Sequence, residues 1–148
     1  MATDNAVTSE GSALIRSLEE TGELASRLLP LMLEDGCVSL EGPLGAGKTH
    51  LVKAIASLLG ISEPVSSPTF TLLHSYSGGK CPLHHSDWYR LKSEGEVLGL
   101  GLEEYLGDGI LMIEWGDKFS TLLPSGTLRL RIAPQPDDSR QIDWSVKP

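Results

Sequence analysis

Apolar residues recur at Leu18, Leu24, Ala25, Leu28 and Leu29, the three-and-four spacing of one helix face, which predicts a helix over 17–29. Ser17 followed by Glu20 forms a capping box at its start, and Pro30 is expected just behind its end. Asp35-Gly36 then predicts a turn into a strand over 37–41, where Cys37-Val38-Ser39-Leu40 is mostly apolar. Helix-forming residues from Lys48 onward predict a second helix that Gly60 closes. Pro64-Val65-Ser66-Ser67-Pro68 breaks the pattern, after which 69–76 reads as a strand, Ser77-Gly78-Gly79-Lys80 as a hairpin turn and 81–88 as its partner strand. Short helical segments fit 93–99 and 102–106. Ile110-Leu111-Met112-Ile113 is too apolar for a surface element and predicts a buried parallel strand ending at Glu114. Clean alternation over 127–132 and 140–146 predicts two late strands around a Pro-rich turn at 133–138.

Strands alternating with helices over 148 residues predict one α/β domain spanning 1–148, with a mostly parallel sheet, antiparallel additions and flanking helices. Residues 1–12 are expected to be a flexible lead-in. A chain of this length buries about two-thirds of its unfolded surface, enough for one core. Its apolar runs fall far short of the roughly 20 residues a membrane span needs. No basic n-region or Arg-rich amphipathic leader precedes 12, so the expected location is cytoplasmic. Cys37 and Cys81 have neither redox nor zinc-ribbon spacing and are expected to be free thiols. The net charge of -8 argues against unaided binding of nucleic acid, because no Lys/Arg cluster is present to neutralise phosphates.

The motif that carries chemistry is Gly42-Pro43-Leu44-Gly45-Ala46-Gly47-Lys48-Thr49, a complete phosphate-binding P-loop flanked by the required strand and helix. Gly42, Gly45 and Gly47 let backbone N–H groups approach phosphate oxygens, Lys48 supplies an ammonium for the β and γ phosphates, and Thr49 offers a hydroxyl to Mg²⁺. The helix N-terminus adds partial positive charge. Such a loop needs an acid to position the ion or the attacking water, and Asp87 and Glu114 end the apolar β segments where ligands of open α/β sheets lie. Cys81, His84, His85 and Asp87 raise the alternative of zinc, but strand alternation sends His84 to the opposite face from the other three. Trp115 reads as packing or as a stacking surface, and Ser67-Pro68-Thr69 as a turn or as a nucleotide-sensing switch.

Taken in order, Leu40 to Thr49, Ser67-Pro68-Thr69-Phe70-Thr71-Leu72, His85-Ser86-Asp87-Trp88-Tyr89-Arg90-Leu91 and Ile113-Glu114-Trp115 resemble the TsaE (YjeE) family. The resemblance runs from about Ser17 to Ile132. It implies a P-loop NTPase-like fold and a slow Mg²⁺-dependent ATPase of tRNA threonylcarbamoyladenosine (t6A) biosynthesis, acting with TsaB and TsaD, which would hold the tRNA. It further implies that Gly45, Ala46, Gly47, Lys48, Thr49 and His50 bind ATP, that the Leu18 to Thr21 segment lines the adenine side, that Thr49 and Glu114 serve Mg²⁺, and that Asp87, with Glu114, is catalytic. The chain departs from the family pattern at Pro43, His50, Ser86, Trp88 and Gly116. A small P-loop kinase would need an Arg/Lys-rich lid, for which only Arg90 and Lys92 lie near the motifs, and a non-hydrolysing nucleotide-sensing adaptor would bind without catalysis.

Overall fold

The computed structural model describes residues 7–68 and 70–148. In chain order its elements are β1 (Gly11–Ile15), α1 (Leu18–Asp35), β2 (Cys37–Glu41), α2 (Lys48–Leu59), β3 (Leu73–Tyr76), β4 (Leu83–Asp87), α3 (Glu94–Leu98), β5 (Ile110–Glu114), β6 (Leu128–Pro134) and β7 (Arg140–Val146), with 3-10 turns at Leu102–Tyr105 and Gly116–Leu122. The strands form one sheet in the order β1-β7-β6-β2-β5-β4-β3. Its centre, β6-β2-β5-β4, is parallel, and antiparallel β7, β1 and β3 extend the two edges, which is the α/β layout expected from the pattern.

Every residue of β2, β4 and β5 is buried, because a central parallel strand has both faces covered. Alternation divides β5 between two cores. Ile110 and Met112 join Leu28, Met32, Leu51 and Ile55 of α1 and α2, while Leu111 and Ile113 pack with Trp88, Val97 and Leu123 on the other face.

Helix α1 starts as the capping box requires: Ser17 Oγ accepts the Glu20 N–H at 3.1 Å, and Glu20 Oε1 accepts the Arg16 N–H at 2.7 Å. It does not end at Pro30. The helix continues to Asp35, with Pro30 exposed inside it and Gly36 (φ 76°) as the left-handed cap. The physical reason is burial: Met32, fully buried one turn past Leu28, contributes about 1.5–3 kcal/mol, comparable to the roughly 3 kcal/mol that a proline inside a helix costs.

Two further expectations shift, and one element is new. Gly11 and Ser12, within the segment expected to be flexible, lie in edge strand β1, paired with Trp144 and Asp143 of β7. The strand expected over 69–76 is confined to Leu73–Tyr76: Phe70 is 86% exposed, and Leu72 takes a positive φ of 67° that breaks the extended run. Thr69 lies outside the described residues. The 3-10 turn at Gly116–Leu122 has no counterpart in the periodic pattern.

Candidate functional site

The P-loop follows β2 at the carboxyl edge of the sheet. Its entrance is fixed by Glu41, a buried carboxylate that accepts Arg129 Nε at 2.7 Å, Arg129 Nη2 at 3.1 Å and the Ser39 hydroxyl at 2.8 Å. Gly42, Gly45 and Gly47 have φ of 152°, 79° and 103°, so the loop uses dihedrals that only glycine adopts freely. Gly47 is also the N-cap of α2 and brings no side-chain cap, leaving the first N–H groups of the helix for an anion.

Leu40, Glu114 and Asp87 stand side by side across three parallel strands, β2, β5 and β4. This register carries both acids to the loop. Thr49 Oγ1 donates to Glu114 Oε2 at 2.9 Å, joining the start of α2 to the end of β5. Asp87 Oδ1 accepts the Tyr89 N–H at 2.9 Å, and its Oδ2 accepts the Ser67 hydroxyl at 3.2 Å. Lys48, 5% exposed, donates from Nζ to Gly42 O at 2.6 Å and Pro43 O at 2.9 Å, with the Trp115 ring centroid 4.0 Å away. Burial pulls the Lys48 ammonium below the ordinary lysine value, and the carboxylates of Glu114, Asp117 and Asp87 oppose that shift.

These groups open on one cleft of about 380 Å³, lined by the loop from Leu44 to His50 together with Ser67, Asp87, Tyr89, Glu114 and Trp115. The expected Gly45, Ala46, Gly47, Lys48, Thr49, His50, Asp87 and Glu114 therefore meet in one place. Leu18 does not join them: it is 64% exposed at the first turn of α1. Thr21, at the other end of the expected Leu18 to Thr21 segment, lines a shallow depression that shares Gly47 and His50 with the cleft.

His85, a zinc candidate in the sequence and the first residue of the third family motif, belongs to this site. Its Nε2 lies 2.6 Å from Glu114 Oε2, and the ring is wholly buried. Strand alternation already sets it on the face of Asp87; that this face meets Glu114 depends on the pairing of β4 with β5. His84 is turned away and held by the Ser75 hydroxyl at 2.7 Å and the Asp108 backbone oxygen at 2.9 Å. Trp115 is the second residue understated by sequence. Its backbone takes a left-handed φ of 64°, which lays the ring between Lys48 and Tyr89, 4.9 Å from the latter.

The departures from the family pattern have local explanations. Pro43 forfeits a backbone donor but its carbonyl accepts both Ala46 N–H at 3.1 Å and Lys48. Ser86 donates to Leu72 O at 2.8 Å, pinning the kinked segment beside Asp87. Trp88 fills the second core beside Phe119. A Cβ at Gly116 would stand 2.2 Å from Ser39 Oγ, so a larger residue there requires a different partner on β2.

The family model for threonylcarbamoyl adenosine biosynthesis protein TsaE matches residues 15–142. The chain belongs to the TsaE family. It is 40% identical over 129 residues to the tRNA threonylcarbamoyladenosine biosynthesis protein TsaE of Bacillus subtilis (strain 168), covering 86% of this chain and 80% of that protein. It is 39% identical over 128 residues to the corresponding protein of Treponema pallidum (strain Nichols), covering 86% and 94%. The crystal structure of Bacillus subtilis YdiB superposes with a TM-score of 0.74 at 31% identity, over 94% of this chain and 86% of that one. The TsaE match spans all four motifs and both acids, so the residues that build the cleft fall inside the family-defining region.

Proposed function

We propose that this TsaE-family chain binds and slowly hydrolyses Mg²⁺-bound ATP, as the ATPase subunit of t6A formation, with TsaB and TsaD as partners. The observation that carries the reading is the 2.9 Å contact between Thr49 Oγ1 and Glu114 Oε2, beside Lys48 and in the same cleft as Asp87. Two hard oxygen donors from different elements, converging next to a P-loop lysine, suit a Mg²⁺ that also takes phosphate oxygens. When bound, the ion would neutralise phosphate charge that builds up as the terminal bond breaks.

The chain's own groups divide the remaining work. Lys48 exchanges its bonds to Gly42 O and Pro43 O for phosphate oxygens, while the loop N–H groups and the start of α2 hold the rest of the polyphosphate. Glu114 is committed to Thr49 and His85. Asp87, whose carboxylate is held by Tyr89 N–H and the Ser67 hydroxyl, is left to orient the attacking water. Its link to Ser67 also ties hydrolysis to the segment leading into the kink at Leu72, a route by which a nucleotide cycle could be read by a partner.

A net charge of -8 disfavours direct contact with tRNA, so the polymer is assigned to the partner proteins. No helix among the described residues is long and apolar enough to cross a membrane, and the working location is the cytoplasm. The test is phosphate release from ATP by the protein alone, with TsaB and TsaD added, and with candidate phosphoryl acceptors. Slow release that the partners alter is expected; phosphate transferred to a small acceptor would replace this reading with a kinase, and binding without any release would replace it with an adaptor.

A further inference from the structure

Trp88, in the second core, carries an unmet hydrogen bond. It is 1% exposed, yet its indole N–H has no partner among the described residues, whereas the indole of Trp144 donates to Thr8 O at 3.0 Å. A buried indole N–H ordinarily finds an acceptor, and a donor left without one costs stability. Trp88 also lines a cavity of about 120 Å³ with Leu98, Leu102, Leu106, Leu111 and Ile113. Glu103, an exposed residue, is the single charged member of that wall. Such a wall holds water poorly, because a buried water needs two or more polar partners. The volume is close to the roughly 150 Å³ of an engineered cavity lined by aliphatic and aromatic residues that stays dry and takes up benzene.

Strand alternation turns Leu111 and Ile113 away from the side of Glu114, so the cavity lies across the sheet from the P-loop cleft. It nevertheless backs onto both acids. Trp88 follows Asp87, Ile113 precedes Glu114, and the Trp88 backbone N–H donates to Glu114 O at 3.0 Å. We propose that this cavity is a second ligand site, for an apolar molecule of about six ring atoms bearing one hydrogen-bond acceptor, which receives the Trp88 indole N–H. Leu98 and Leu106, 62% and 37% exposed, provide the way in, since exposed side chains change rotamer within nanoseconds. Position 88 is one where the chain departs from the family pattern, so the donor belongs to this chain's own sequence.

The test titrates wild type with cyclohexanone and, separately, with cyclohexene, a ring of the same size without the oxygen. Binding is followed by NMR of the indole N–H groups and by NOEs from each probe to the methyl groups of Leu111 and Ile113. Cyclohexanone should bind with a Kd below about 2 mM, give those NOEs and move the Trp88 indole proton downfield. Cyclohexene should give the NOEs without the downfield shift. Trp88→Phe keeps an aromatic ring and removes the N–H; it should weaken cyclohexanone about five- to tenfold and change cyclohexene less than about twofold. The wild-type shift needs no substitution, so it decides the matter even if Trp88→Phe destabilises the fold. Failure of both probes to bind, NOEs from other parts of the protein alone, or an unmoved Trp88 indole proton at saturating cyclohexanone would overturn the proposal. Equal losses for the two probes in Trp88→Phe would overturn it too, because the indole would then be serving only as a wall.

Discussion

His85 Nε2 and the Thr49 hydroxyl converge on a single oxygen, Glu114 Oε2, at 2.6 and 2.9 Å. A wholly buried imidazole thus holds the carboxylate of β5 against the start of α2, and neither β4 nor β5 could do so alone. His85→Ala would remove one of the two side-chain contacts that hold Glu114, leaving that of Thr49. The Mg²⁺ concentration required for half-maximal nucleotide binding should then rise about three- to tenfold, approaching the effect of Glu114→Ala, whereas His85→Gln should keep much of the wild-type value. Mg²⁺ titrations followed by calorimetry measure this; a His85→Ala titration identical to wild type would remove the residue from the site.

Asp87 separates binding from turnover. Its carboxylate accepts the Tyr89 N–H and the Ser67 hydroxyl, so Asp87→Asn should leave nucleotide affinity within about threefold while lowering phosphate release about a hundredfold. Steady-state release assayed beside a binding isotherm gives both values. Full turnover in Asp87→Asn would transfer the water-orienting role to another acid.

Gly116 and Ser39 pack without room for a methyl group. A Cβ at Gly116 lies 2.2 Å from Ser39 Oγ and 3.0 Å from Ser39 Cβ, so Gly116→Ala should cost about 1–3 kcal/mol through overpacking. Adding Ser39→Ala removes the nearer atom and should recover part of that loss. Urea denaturation of the single and double variants tests the coupling; additive destabilisation would show that the two sites are independent.

Cys37 and Cys81 should differ in reactivity. Burial pushes the Cys37 thiol up to about 11, so at pH 8 only about one molecule in a thousand carries the thiolate there. Native protein treated with iodoacetamide at pH 8 should be alkylated at half-buried Cys81 and remain unmodified at Cys37 until denatured. The same shift has a stability consequence. The unfolded thiol ionises near 9.0, so the native preference for the neutral form is fully present below that value and is lost as pH climbs toward about 11. Cys37→Ala should therefore show a smaller fall in melting temperature between pH 9 and 11.

Much of the site was legible because its determinants are local. Three glycines and a Lys-Thr pair between an apolar strand and a helix specify a P-loop within eight residues, and Glu114 and Asp87 were visible as acids ending strand segments. The misreadings came where long-range packing outweighed local signals. Pro30 reads as a stop, yet burial of Met32 carries α1 a further turn. Phe70 and Thr71 read as strand, yet the positive φ at Leu72 turns the chain so that its carbonyl can accept Asp87 N–H and the Ser86 hydroxyl. Gly11 and Ser12 read as tail, and became a strand only because β7 offers an edge to pair with.

By itself, then, the sequence determined the elements whose causes lie within a few residues: the phosphate loop, the buried parallel strands, the caps and the two acids. Only the tertiary structure decided which groups meet. The order β7-β6-β2-β5-β4 sets Glu114 beside Thr49 and His85, and brings Arg140 around to Gly47 from more than ninety positions away in the chain. A local pattern cannot encode those distances, because they depend on which strands pair and in what register; once pairing is fixed, a two-residue side-chain alternation determines the face on which each group appears.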